Sequence, residues 1–104
     1  MLTDKDYLHG NCDVWVNNNF KYNDTIIAFI EYDYEIDSCA LLHCCLYRNG
    51  QYLDIRGELN TIDDVLDDFD YGDFVTLEFS DLDSFKEFLN DMENGEINPE
   101  DIGL

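Results

Sequence analysis

The sequence predicts an α+β domain: a short N-terminal helix, an antiparallel sheet of about four strands, and two amphipathic helices in the C-terminal half. Three observations lead there. Residues 25–32 (TIIAFIEY) are a β-branched and aromatic run of strand length. Asn49-Gly50 separates two further strand-like runs, and Asn-Gly suits a type I′ hairpin turn because both central residues take positive φ. Thr61 and Ser80-Asp81 each stand just before an apolar period of helical spacing, where a capping side chain belongs.

In chain order, residues 3–8 are expected to make a helical turn that stops at Gly10. Val14, Trp15, Val16 and Phe20 suggest a short helix from Cys12 to about Phe20, although Asn17-Asn18-Asn19 is a poor helix interior. Thr25 to Tyr32 is the first strand and residues 33–37 an acidic loop. Cys39 to Arg48 is the second strand and Gln51 to Ile55 the third. A two-residue turn between them sets Arg48 opposite Gln51, Tyr47 opposite Tyr52, Cys45 opposite Asp54 and His43 opposite Arg56. Side-chain alternation then puts His43, Cys45, Tyr47, Tyr52, Asp54 and Arg56 on one face. Leu42, Cys44, Leu46, Leu53 and Ile55 fall on the other, an apolar set that must be buried. His43 and Asp54 become diagonal neighbours at roughly 7 Å between backbone positions, within reach of their side chains.

Beyond the hairpin, Thr61 starts a helix with Ile62, Val65, Leu66 and Phe69 on one side, broken at Gly72. Phe74 to Phe79 is the fourth strand. The last helix follows Ser80-Asp81, buries Leu82, Phe85, Leu89 and Met92, and closes at Gly95.

The 104 residues are expected to form one domain, residues 1–104. A composition that is 45% hydrophobic and 14% aromatic excludes a disordered acidic tail. No stretch approaches the roughly 20 apolar residues that cross a bilayer. Met1 to Asp6 has neither a basic leader nor an apolar signal core, so a cytoplasmic location is expected. Cys12, Cys39, Cys44 and Cys45 contain no C-x-x-C, and neighbours Cys44 and Cys45 point to opposite faces of a strand. Neither a metal nor a cofactor is therefore expected, and Cys39, Cys44 and Cys45 read as reduced, packed thiols.

The charge is extreme: 25 acidic residues against 5 basic, a formal net of -20. It is also uneven, with ten acids and four bases over residues 1–59 and fifteen acids and one base over 60–104. Such a surface repels nucleic acid and anionic lipid and attracts a protein partner with a basic surface. Asp63, Asp64, Asp67, Asp68, Asp70 and Asp73 are the candidate partner-binding row, since carboxylates stacked along a helix approximate a phosphate backbone. That reading describes a DNA mimic, a phage-encoded inhibitor of a restriction, CRISPR or other DNA-binding host protein. The plainer alternatives are a solvated face that keeps a small protein soluble and a halophile's acidic coat.

A thiol-centred site is the leading chemical reading. A cysteine attacks carbonyls as thiolate, and a helix start together with an imidazolium favours that form. Cys12 follows Gly10-Asn11 at a helix start, His43 stands as the base, and Asp54 would orient the second ring nitrogen. Backbone N–H groups near Cys12 would form the oxyanion hole. Segments 8–16 and 41–57 resemble the papain-like and transglutaminase-like superfamily, especially its small phage and bacterial members. Those pair a Gly-x-Cys helix start with a strand histidine and, past a glycine-containing hairpin, an aspartate in a (Y/L)-L-D-x-x-G setting. The resemblance implies that Cys12 is the nucleophile, His43 the base and Asp54 the orienting acid of a hydrolase or acyl-transferase acting on an amide, ester or isopeptide bond. Arg56 is left to bind a substrate carboxylate or to pair with Asp54 or Glu58.

Overall fold

The computed structural model describes residues 10–104, and the α+β architecture follows from three helices and five strands. Helix α1 is Cys12–Asn19, strand β1 Thr25–Asp33, β2 Ser38–Arg48, β3 Gln51–Asp54 and β4 Gly57–Leu59. Helix α2 is Ile62–Leu66, β5 Phe74–Phe79 and α3 Leu82–Glu93, before a 3₁₀ turn over Pro99–Ile102. The strands form one antiparallel sheet in the spatial order β4-β3-β2-β1-β5. The helical turn expected over residues 3–8 lies outside the described residues.

Strand β1 lies inside the sheet between β2 and β5, and Ile26 to Ile30 are all buried, so it reads as a continuous apolar run because both sheet faces are covered. On one face, Ile26, Ala28, Ile30, Cys44 and Leu46 pack with Val16 of α1 and with Phe85 and Met92 of α3. On the other, Ile27, Phe29 and Cys45 pack with Val65 and Leu66 of α2. Each valine, leucine, isoleucine, phenylalanine or methionine among them contributes about 1.5–3 kcal/mol when fully buried.

The Asn49-Gly50 hairpin has the expected form. Both residues have positive φ, 53° and 81°, and Arg48 faces Gln51, Tyr47 faces Tyr52 and Leu46 faces Leu53. The expected pairing of His43 with Arg56 is corrected, because β3 ends at Asp54. There the chain turns through Ile55-Arg56 into β4, with Asp54 opposite Gly57. The Asp54 carboxylate accepts the Arg56 backbone N–H at 2.8 Å, and Gly57 takes φ +104°, a conformation side chains resist. This turn supplies the fifth strand beyond the four or so expected.

A second correction concerns Leu42. The β1–β2 register skips it: Phe29 pairs with His43 and Ile30 with Leu41. Such a bulge locally offsets the alternation, and Leu42 joins the Cys45 core instead of the Cys44 face. Helix α2 is also shorter than the apolar period suggests. Thr61 Oγ1 caps it by accepting the Asp64 N–H, but it ends at Leu66, and Phe69 is held by a turn bond from its N–H to the Leu66 carbonyl. Asp67 and Asp68 follow where the helix dipole disfavours anions.

An ion pair that sequence reasoning did not find ties α1 to the sheet. Arg48 donates to buried Asp24 through Nε at 2.7 Å and Nη2 at 2.6 Å, and Nη2 reaches the Asn19 carbonyl at 3.2 Å. The bidentate fork anchors the last residue of α1 to the end of β2. It thereby fixes the helix whose first residue is Cys12.

Candidate functional site

Cys12, His43 and Asp54 come from α1, β2 and the end of β3, and the fold brings them together. Their relative exposures are 5%, 0% and 4%, so each polar group must find its partner within the protein. His43 donates from Nε2 to Asp54 Oδ2 at 3.0 Å. The proton is assigned there because Asp54, an ionised carboxylate, can only accept. His43 Nδ1 is buried without a hydrogen-bond partner of good geometry. The imidazole lies over Phe69, with ring centroids 4.6 Å apart, which fixes its plane.

Cys12 reaches two consecutive residues of β2. Its sulfur interacts with the Cys44 thiol and backbone N–H and with the His43 ring. The Cys44 thiol hydrogen bond is the largest influence on Cys12. Burial opposes it, but hydrogen bonding to His43 and the imidazolium charge add to it, and the Cys12 pKa falls to about 5. Cys44 moves the opposite way: burial and the Cys12 charge push its pKa well above that of an ordinary thiol. For His43, burial works against the charged ring, but Asp54 and the Cys12 thiolate outweigh it and the pKa is raised. The favoured state is a thiolate–imidazolium pair.

Asp54 is itself held from the far side by Arg56. The guanidinium donates to Asp54 from Nη2 at 2.6 Å and from Nε at 3.1 and 3.2 Å. It also donates from Nη2 to the Val65 carbonyl at 2.6 Å and from Nη1 to Asp68 at 3.2 Å. Its carbon lies 5.9 Å from the Phe69 ring centre. Of the partners weighed for Arg56, the structure selects Asp54 and adds Asp68. Burial alone would raise the Asp54 pKa, but the hydrogen bonds from His43 and Arg56 reverse it, to about 2.

A pH prediction follows from that value. A carboxylate whose folded pKa lies below its ordinary 3.8 stabilises the fold above about pH 4 and loses that contribution as pH falls through 2. The stability gap between the wild type and Asp54→Asn, measured by urea unfolding, should therefore narrow by about 2 kcal/mol from pH 5 to pH 2. A constant gap would show that Asp54 keeps an ordinary carboxyl in the fold.

Asp63, Asp64, Asp67, Asp68, Asp70 and Asp73 are all solvent-exposed. Only Asp63 and Asp64 lie within α2, and Asp70 and Asp73 belong to the irregular segment before β5. The carboxylates therefore surround a single helical turn instead of lining a long helix. Among the described residues no cluster of three or more His, Cys, Asp or Glu is arranged to hold a metal ion, and no helix is long and apolar enough to cross a membrane. Sequence reasoning missed three parts of the site: the Cys44 thiol, the Phe69 support and the reach of Arg56 to Val65. The Asp54-Ile55-Arg56-Gly57 stretch signalled only the Asp54 contact, since its Asp-x-x-Gly pattern marks a turn that folds Arg56 back on Asp54. Comparison of the chain with protein-family models, curated proteins and solved structures finds no match.

Proposed function

We propose that this chain is a papain-like, thiol-centred hydrolase or acyl-transferase acting on an amide, ester or isopeptide bond, with Cys12 as nucleophile, His43 as general acid–base and Asp54 as the orienting acid. The observation that carries the reading is the buried His43 ring. One nitrogen is committed to Asp54 at 3.0 Å, and the other, with no hydrogen-bond partner of good geometry, is the one left to hold the Cys12 proton. Nδ1 holds that proton, the thiolate attacks the carbonyl carbon, and the oxyanion meets backbone N–H groups at the start of α1. The imidazolium then returns its proton to the leaving group, giving a thioester on Cys12. Water, or an acceptor amine, attacks that thioester while Nδ1 removes its proton, and the C–S bond breaks to release the product and restore the Cys12 thiolate beside the imidazolium. Asp54 keeps the ring in the working tautomer throughout.

The test is acyl transfer from p-nitrophenyl acetate. Intact mass should report one acetyl group on Cys12, absent in Cys12→Ala, and His43→Ala should slow turnover by about 10²- to 10⁴-fold. Acetylation spread over several residues, or none at Cys12, would remove the proposal.

A second reading rests on the six exposed carboxylates within residues 63–73, which suit a basic groove of a protein partner. It expects binding to a DNA-binding protein that competes with DNA and weakens steeply with salt. Retained binding after neutralising Asp63, Asp64, Asp67 and Asp68 would exclude that face.

A further inference from the structure

A cavity of about 770 Å³ opens where β1 ends, β5 begins and the 3₁₀ turn closes over them. Its walls include Tyr32, Tyr34 and Phe74, and its rim carries the carboxylates of Asp73 and Glu100. We propose that this cavity binds a cationic side chain, lysine or arginine, presented by a basic segment of a protein partner. The site is independent of the thiol chemistry, and it gives the basic-partner reading a second, separately testable location.

The aromatic walls are held in place. Tyr32 and Tyr34 meet edge-to-face with centroids 4.8 Å apart, and the Tyr32 hydroxyl donates to Asp37. Phe74 is braced by Phe29 at 6.0 Å and by Tyr71 at 5.2 Å, both edge-to-face. Tyr34 is nonetheless 88% exposed, a ring displayed to solvent. The rim is ordered as well: Asn98 caps the 3₁₀ turn by accepting the Glu100 N–H at 3.1 Å, with Pro99 at its first position.

The chemistry of this lining selects the ligand. Ring faces attract a cation through their quadrupoles, and two carboxylates complete the charge pairing. No lysine or arginine is among the residues that line the cavity. A volume in the usual range of ligand sites far exceeds a bare ammonium and suits a side chain with its flanking backbone. The net charge of -20 draws such a segment in.

The experiment is a ¹H–¹⁵N NMR titration of the full chain with acetyl-Gly-Lys-Arg-Lys-Gly-amide, the same peptide with glutamine at the three cationic positions, and spermidine. The cationic peptide should give saturable shifts centred on Tyr34, Phe74 and Glu100, and the glutamine peptide none. Tyr34→Ala, which leaves the core intact, should weaken binding about two- to five-fold. Asp73→Asn with Glu100→Gln should weaken it further and flatten its salt dependence. Unsaturable shifts spread over the acidic surface would overturn the proposal, as would unchanged affinity in Tyr34→Ala. Spermidine seated in the cavity as tightly as the peptide would assign it to free polyamines instead. Shifts confined to Asp63, Asp64, Asp67 and Asp68 would overturn the cavity site while leaving the acidic-face reading standing.

Discussion

Alkylation of Cys12 by iodoacetamide is expected to follow a pH profile that rises with a midpoint near pH 5, about four units below an ordinary thiol. At pH 6.5 Cys12 is then almost wholly thiolate, whereas a free cysteine with a pKa near 8.5 is only about 1% ionised. The rate advantage is smaller than that ratio, because nucleophilicity falls as the thiol becomes more acidic. Slight exposure lowers the whole curve without moving its midpoint. Two substitutions separate the causes. Cys44→Ala removes the thiol hydrogen bond that acts most strongly on Cys12, and the midpoint should rise. His43→Gln removes the imidazolium charge, so the midpoint should rise there too and the second inflection, where His43 loses its proton above pH 6.5, should vanish. Cys39 and Cys45, whose thiols are pushed upward by burial, should stay unlabelled throughout. A wild-type midpoint between pH 8 and 9 would end the ion-pair description of the site.

Arg56→Ala should cost about 3–5 kcal/mol in urea unfolding, the range for removing one partner of a buried ion pair. The reason is what remains. Asp54, with 3% of its side chain exposed, would keep only His43 and one backbone N–H as donors. For a domain of this size the loss corresponds to a melting temperature lower by roughly 12 °C or more. Arg56→Lys should fall between, since an ammonium can pair with Asp54 but cannot also span Val65 and Asp68 as the planar fork does. A loss below 1 kcal/mol would make Arg56 equivalent to an ordinary surface pair.

The two effects are linked by the chain of contacts from Cys44 through Cys12, His43 and Asp54 to Arg56. Cys44 and His43 are consecutive on β2 and serve the same sulfur from adjacent positions, beside the Leu42 bulge. Bulges commonly occur where a strand must re-aim a side chain next to a site. Positioning in this fold therefore depends on three local irregularities: the bulge, the Asp54–Gly57 turn and the Arg48–Asp24 fork.

The sequence by itself determined what is written in local chemistry. The Asn49-Gly50 turn set the register that places Tyr47 against Tyr52, and Asp81 and Thr61 marked helix starts through their side chains. β-branched and aromatic runs named the strands. The shared face of His43 and Asp54 was legible too, because the two-residue turn and side-chain alternation bring them to diagonal positions. Tertiary structure alone decided that both faces of the sheet are covered, that β3 turns back at Ile55-Arg56, and that a bulge shifts Leu42. It also decided that Cys44 stands beside Cys12, 32 positions away in the chain. The physical reason is one of range. Turns and caps satisfy backbone groups within a few residues, so their chemistry is local. The thiol, imidazole, carboxylate and guanidinium are matched across separate elements, and burial fixes those pairings only when the whole core closes.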